Sequence, residues 1–236
     1  LISCRCAEHR FRDARTCQAR IRLRHPEIHR RLLTLSFNIF ESPERRRWDF
    51  DNPLLGQWFS EYAEHHHPDL AHFQAGYLLG SAPLRAIAQA HVPIALTLHD
   101  YWFLCPRHTL QRSDGTLCHT VPADTKTCAW CRQAEDTRYQ KANQITVGAV
   151  GRAMQSFGFQ KSNALQKERR ERVLSALELA DAVIATRRFL AKLYTPYINP
   201  ERLHVIRYGL DIRRFEHVSG SESQTLRIGF IGQIAA

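Results

Sequence analysis

Short β-rich runs that alternate with helical runs are the feature that most limits what this chain can become. The apolar runs fall at residues 32–40, 69–74, Ile94–Leu98, Ala182–Ala185, 203–206 and 226–231. Helical stretches lie between them: residues 54–65, a second opened by Ser81 or Pro83 and running to His91, residues 166–180, and residues 187–194 behind Thr186 as N-cap. In residues 166–180, Val173, Leu174, Leu177 and Ala180 recur at the spacing of one helix face. Strands joined by helices of this length form βαβ units in a parallel sheet. The expected fold is therefore α/β with a Rossmann-like parallel sheet. In such sheets ligands bind beyond the carboxyl ends of the strands. That rule directs attention to residues 74–80, His99 and Asp100, Thr186, and residues 207–211.

Composition excludes several classes. With 236 residues, 44% hydrophobic and 10% aromatic, the chain has the material for a packed core, unlike a disordered or collagenous sequence. Its longest apolar runs fall well short of the roughly 20 residues that span a bilayer. The charge is uneven: 33 Lys+Arg stand against 23 Asp+Glu, a net of +10. Twelve Arg and five acids fall within residues 1–47, a local net of +7. The excess favours anionic partners such as phosphate esters, acidic lipids or nucleic acid, or else marks a solvated basic face.

Seven cysteines form two groups, Cys4, Cys6 and Cys17, then Cys105, Cys118, Cys128 and Cys131. No apolar signal-peptide core opens the chain, so a reducing compartment is expected, where closely spaced cysteines are more often metal ligands. A tetrahedral zinc site takes four soft ligands, and a Cys-x2-Cys pair such as Cys128 and Cys131 offers two from one turn. Four thiolates leave no open position for water, so such a zinc is structural. Unligated or disulfide-bonded cysteines and an iron–sulfur cluster are the alternatives, and His108 or His119 can replace a cysteine in the set. The run His65–His67 is read as a loop, with a metal role the minor alternative.

His99 and Asp100 follow the strand Ile94–Leu98. An imidazole there can bond a sugar hydroxyl or phosphate oxygen and can handle protons. The plainer reading has His99 closing the strand and Asp100 capping the next turn. Gly209, after the strand at 203–206, suggests a turn with positive φ. Neither GxGxxG nor GxxxxGKS is present, nor a serine or cysteine nucleophile elbow.

Four segments, in order, resemble the retaining family 4 nucleotide-sugar glycosyltransferases, enzymes of the two-domain GT-B fold. They are HPDLAHFQ at residues 67–74, HVPIALTLHDYWFLCPR at 91–107, ADAVIATRRFL at 180–190 and VIRYGLDIRRF at 205–215. The resemblance covers about residues 50–236, and TLHDYW followed by four cysteines is its most specific part.

The resemblance implies that residues 1–221 form an acceptor-side domain with a cysteine-rich insertion at about 101–135. Residues 222–236 would then be the linker and first strand of a donor-binding domain. It implies transfer of a sugar from a UDP- or GDP-type donor to a saccharide or lipid-linked acceptor, with retention of configuration, in cell-surface polysaccharide synthesis. His99 matches the family histidine near the transferred sugar. Asp100, Gln74, Gly76, Thr186 and Gly209 are the matching substrate-side positions. Gln74 stands where the family has a second His, Thr186 where it has Ser, and Tyr208 where it has Asn.

The elements that grip the donor would lie beyond Ala236, so the chain as given is expected to be an inactive fragment. The resemblance also implies a cytoplasmic protein in peripheral contact with an anionic membrane, through Lys161, Lys167, Arg169, Arg170, Arg172 and the N-terminal arginines. The competing class is a zinc-stabilised basic nucleic-acid-binding module with Trp102, Phe103 and Trp130 as stacking groups.

Overall fold

In the computed structural model, residues 22–24, 32–34, 44–77, 79–157, 160–215 and 225 are described. Cys4, Cys6 and Cys17, most of the N-terminal arginines, the tail of the run at 32–40 and the strand expected at 226–231 lie outside them.

Among the described residues the protein is α/β, with a four-stranded parallel sheet, consistent with a Rossmann-like domain. The short strands β1 (Arg22–Arg24) and β2 (Leu32–Thr34) pair antiparallel in a separate ribbon, so residues 32–34 do not join the main sheet. Two helices follow, α1 (Arg45–Trp48) and α2 (Pro53–His66). Asn52 opens α2 by accepting the Leu54 N–H at 3.0 Å, and Pro53 fills the first position, where its missing N–H costs nothing. His65 and His66 form the last turn of α2 and His67 closes it with φ 44°, so the histidine run ends a helix where a loop was expected. Burial and the charges of His65 and His67 lower the pKa of His66.

Strand β3 (Ala71–Phe73), helix α3 (Ala82–Gln89) and strand β4 (Ile94–Leu98) make the first parallel unit. Gly80 precedes α3 with φ +74°, and a Cβ on it would meet the Phe50 carbonyl oxygen at 2.8 Å. That carbonyl accepts the Ser81 N–H at 2.7 Å. Asp51 is buried and receives three donors: Ser81 Oγ at 2.9 Å, Arg172 Nη1 at 2.6 Å, and Arg85. A buried carboxylate is tolerable when paired in this way.

A long connection then carries α4 (Lys126–Gln133), α5 (Thr137–Ile145), α6 (Ala149–Phe157) and α7 (Gln160–Leu177) before β5 (Ala182–Ala185). Helix α8 (Arg188–Tyr194) and β6 (Leu203–Val205) complete the sheet in the order β3-β4-β5-β6. The core lies on this sheet: Leu84, Ile87, Ile94, Leu96, Leu98, Val173, Leu177, Val183 and Tyr194 are sealed from solvent. β4 is almost wholly apolar because neighbours cover both of its faces.

Candidate functional site

The register places the four strand ends on one crest. Phe73 pairs with Leu96, Leu98 with Ala185, and Ala185 with Val205, so the residues after each strand emerge side by side. Two sequence-marked residues meet there. His99 is exposed, and its Nε2 lies 3.1 Å from Gln74 Oε1. An amide oxygen only accepts, so Nε2 carries a hydrogen, and Nδ1 bonds the Tyr208 hydroxyl. The His99 and Tyr208 rings also stack, with 5.7 Å between centroids and an interplanar angle of 6°.

Gln74 is fixed from its other end. Its Nε2 lies 3.1–3.2 Å from the ring nitrogens of His72, and His72 Nε2 is 2.8 Å from the Thr97 hydroxyl. A polar chain thus runs from β4 through β3 to the crest and holds an exposed imidazole there. A hydroxyl-rich or phosphorylated ligand can bond such a ring by exchanging with one of its two partners. Gln74 therefore takes a place beside His99.

The other expected positions divide differently. Asp100 accepts the Trp102 N–H at 2.9 Å, and its carbonyl accepts from Tyr194 Oη at 3.3 Å, so Asp100 caps the turn, the plainer of its two readings. Gly76 is buried, and a Cβ there would come within 2.4 Å of the Trp102 ring and 2.7 Å of Phe103. Its role is close packing beneath the crest. Thr186 is buried and its hydroxyl donates to the Leu98 carbonyl at 3.5 Å. The N-cap of α8 is Arg187, so the expected cap at Thr186 is corrected. Gly209 is exposed with open space around it, and the described glycines with positive φ are Gly80, Gly115 and Gly148, so a strained turn at Gly209 is also corrected.

The four cysteines of the connection are free and half-buried. Cys128 and Cys131 sit one turn apart in α4, a helix in place of the expected tight knuckle. Burial pushes the Cys128 thiol up to about 11, against the pull of Arg170, and Cys105, Cys131 and Cys118 each add to the rise. Burial likewise raises Cys131, while Ser113 and Arg107 oppose it. The thiols thus act on one another, yet among the described residues no three His, Cys, Asp or Glu side chains are grouped to hold a metal ion.

Arg169 stands beside these thiols, 6% exposed, bonded to the Trp102 carbonyl and 4.9 Å from the Trp102 ring centroid. Burial lowers its pKa to about 10, with Cys105 and Cys128 opposing the change. Arg170 bonds the Ala123 carbonyl at 2.7 Å and lies 3.6 Å from Cys128 Sγ, while Arg172 pairs with Asp51 and with Glu168 at 3.0 Å. Of these three arginines Arg169 is buried, while Arg170 is half-buried and Arg172 exposed. Trp102, Phe103 and Trp130 are buried as well, which removes them as base-stacking groups.

Sequence reading missed three members of the crest network, His72, Thr97 and Tyr208. The first two are one residue inside strands already identified, so strand alternation could have placed their side chains. Tyr208 lies in the strand-end stretch 207–211, but no local signal marked its bond to His99, which spans 109 residues. Among the described residues, no helix is long and apolar enough to cross a membrane. Compared with known proteins, the chain matches no protein-family model, no curated protein and no solved structure.

Proposed function

We propose that the chain is the acceptor-side part of a retaining glycosyltransferase of GT-B type, in which His99 contacts the sugar being transferred. The observation that carries this reading is the exposed imidazole on the crest of a parallel sheet, held from both sides by Gln74 and Tyr208. Glycosyl transfer builds positive charge on the sugar and negative charge on the departing diphosphate. The reaction therefore needs hydrogen-bond donors around the leaving group more than it needs a strong base. A sugar hydroxyl that takes the place of one of these two partners can bond the freed ring nitrogen while the other partner keeps the ring oriented.

In this reading the donor is a UDP- or GDP-sugar, the acceptor a saccharide or lipid-linked sugar, and the setting the cytoplasmic side of cell-surface polysaccharide synthesis. No step passes through the cysteines. Structural zinc belongs to the proposal only as an element of folding, and stoichiometric zinc in the purified protein would support it. A folded, metal-free chain would refute it.

The functional test is saturation-transfer NMR of the 236-residue chain with oligosaccharide acceptors and nucleotide-sugars. Saccharide binding that weakens about two- to tenfold in His99→Ala, the range expected for one lost hydrogen bond, supports the reading. Binding unchanged by His99→Ala, or steeply salt-dependent binding to RNA or DNA in its place, refutes it.

A further inference from the structure

Helices α5 and α6 form a hairpin that the core does not explain. α5 contributes no buried residue, and α6 contributes only Gly151. The hairpin is nonetheless fixed in place. Asn143 Oδ1 accepts the Gly151 N–H at 2.6 Å, and the Asn143 carbonyl accepts the Gly148 N–H at 2.7 Å. A Cβ on Gly151 would meet the Trp130 ring at 3.1 Å, so the missing side chain lets α6 lie close against α4.

Between α4 and this hairpin lies a cavity of about 550 Å³, a volume within the range of about 300–1,000 Å³ usual for small-molecule sites. α4 lines it with Trp130, α5 with Gln140, Asn143 and Gln144, and α6 with Arg152 and Gln155, while the turn that begins at Arg112 completes it. It shares no residue with the crest around His99, Gln74 and Tyr208.

The lining is rich in donors that have nothing to bond. Trp130 is 6% exposed, yet its indole N–H has no hydrogen-bond partner among the described residues. Asn143 uses its oxygen on Gly151, and its amide nitrogen has no partner there either. Arg112 and Arg152 form no ion pair with a described carboxylate. Gly148, at φ +83°, makes room for Arg152, since a Cβ there would stand 2.9 Å from its Nη1. The one carboxylate in the lining is Asp114, and its Oδ1 already accepts the Thr116 N–H at 2.9 Å and the Thr116 hydroxyl at 2.6 Å.

Two guanidinium groups against one engaged carboxylate make a cation a poor occupant, and unbonded amides make an apolar molecule another. Guanidinium forks match phosphate oxygens, and primary amides both donate to and accept from hydroxyls. A nucleic-acid strand is disfavoured because Trp130 is too deeply buried to stack a base. We propose that the cavity between α4 and the α5–α6 hairpin binds a small phosphorylated polyol. Arg112 and Arg152 hold its phosphate, and Trp130, Asn143 and the glutamine amides bond its hydroxyls. This inference stands on the cavity alone and does not rest on the sugar-transfer reading.

The test is isothermal titration calorimetry of the 236-residue chain with glycerol 3-phosphate, with inorganic phosphate and glycerol as comparisons. Glycerol 3-phosphate is expected to bind at one site and to weaken with salt. Inorganic phosphate should bind about two- to tenfold more weakly for the hydroxyl bonds it lacks, and glycerol should give no signal. The variant R112Q/R152Q should lose about tenfold per charge-assisted bond, or about a hundredfold together. Trp130→Phe removes the N–H but keeps most of the ring, and should lose about two- to tenfold. Arg112 and Arg152 are exposed, so circular dichroism should show their variant folded. The control R188Q/K192Q removes as many exposed cations from α8 and should bind as the unaltered chain does, as should His99→Ala on the crest. Absence of binding, equal binding of glycerol or inorganic phosphate, or unchanged binding by R112Q/R152Q overturns the proposal. So does an equal loss in R188Q/K192Q, a loss in His99→Ala, or tighter binding to a short RNA than to glycerol 3-phosphate.

Discussion

The sheet and the connection between β4 and β5 are built on different principles. In the sheet, Ile94, Leu96, Leu98, Val183 and Ala185 are sealed from water, and α3, α7 and α8 cover them with Leu84, Ile87, Val173, Leu177 and Leu190. In the stretch of the connection from Cys105 to Phe157, few apolar side chains are buried, namely Leu110, Ala129, Trp130 and Ala134, and α5 buries none. Polar bonds replace the missing apolar area. Arg107 pairs with Glu135 at 3.1 Å, Arg132 with Asp49 at 3.0 Å, and Thr125 Oγ1 donates to Asn163 at 2.6 Å. Burial is cumulative and tolerates drift in detail, whereas a polar scaffold depends on each bond being made. The contrast explains why the sheet can support a fixed crest while the connection is free to present a surface.

The sharpest way to break this contrast is to cut into the sheet. Leu96→Ala should cost about 2–5 kcal/mol in denaturant unfolding, through lost burial and the cavity it leaves. A cost near zero would mean that the sheet is not the stabilising half. Gly76→Ala should come next, at about 1–3 kcal/mol, because its methyl must displace the Trp102 and Phe103 rings. That substitution reads the seam where the crest loop meets the connection.

The connection has a pH signature of its own. The folded Cys128 thiol keeps its proton up to about 11, where an ordinary thiol releases it near 9.0. Between those values the unfolded chain ionises and the folded one does not. The contribution is therefore complete below 9.0 and is lost as pH rises towards about 11. Urea midpoints measured across that window should fall for the metal-free protein and fall less for Cys128→Ala. A metal-held thiolate would show no such slope. The smallest effect belongs to the hairpin tip: Ile145→Ser should change stability by no more than about 0.5 kcal/mol, since Ile145 is already exposed.

The sheet was legible because its signals are local. The run Ile94–Leu98 is a continuous apolar stretch, as a strand covered on both faces must be, and Ala182–Ala185 likewise falls where the sequence placed it. Helix α2 was nearly as clear, expected at residues 54–65 and found at Pro53–His66, although its start signal at Asn52 and its histidine end were not read. The helices α4, α5 and α6 were not foreseen, because residues 101–157 are rich in Thr, Gln and Arg and lack a steady apolar stripe before α6. Gln74 beside His99 followed from the rule for strand ends. Tyr208 did not, because its partner lies far away in the chain.

The sequence by itself determined that strands and helices alternate, that they form a parallel sheet, and that His99 lies at the end of one of its strands. These follow from periodicity and short-range sterics, which act over a few residues. Tertiary structure alone decided that Gln74 and Tyr208 hold that imidazole, that Asp100 and Thr186 turn inward, and that Arg169 is buried while Ile145, Val147 and Phe157 are not. Contacts between distant segments depend on how whole elements pack, and no local pattern encodes which face of an element the rest of the protein leaves open.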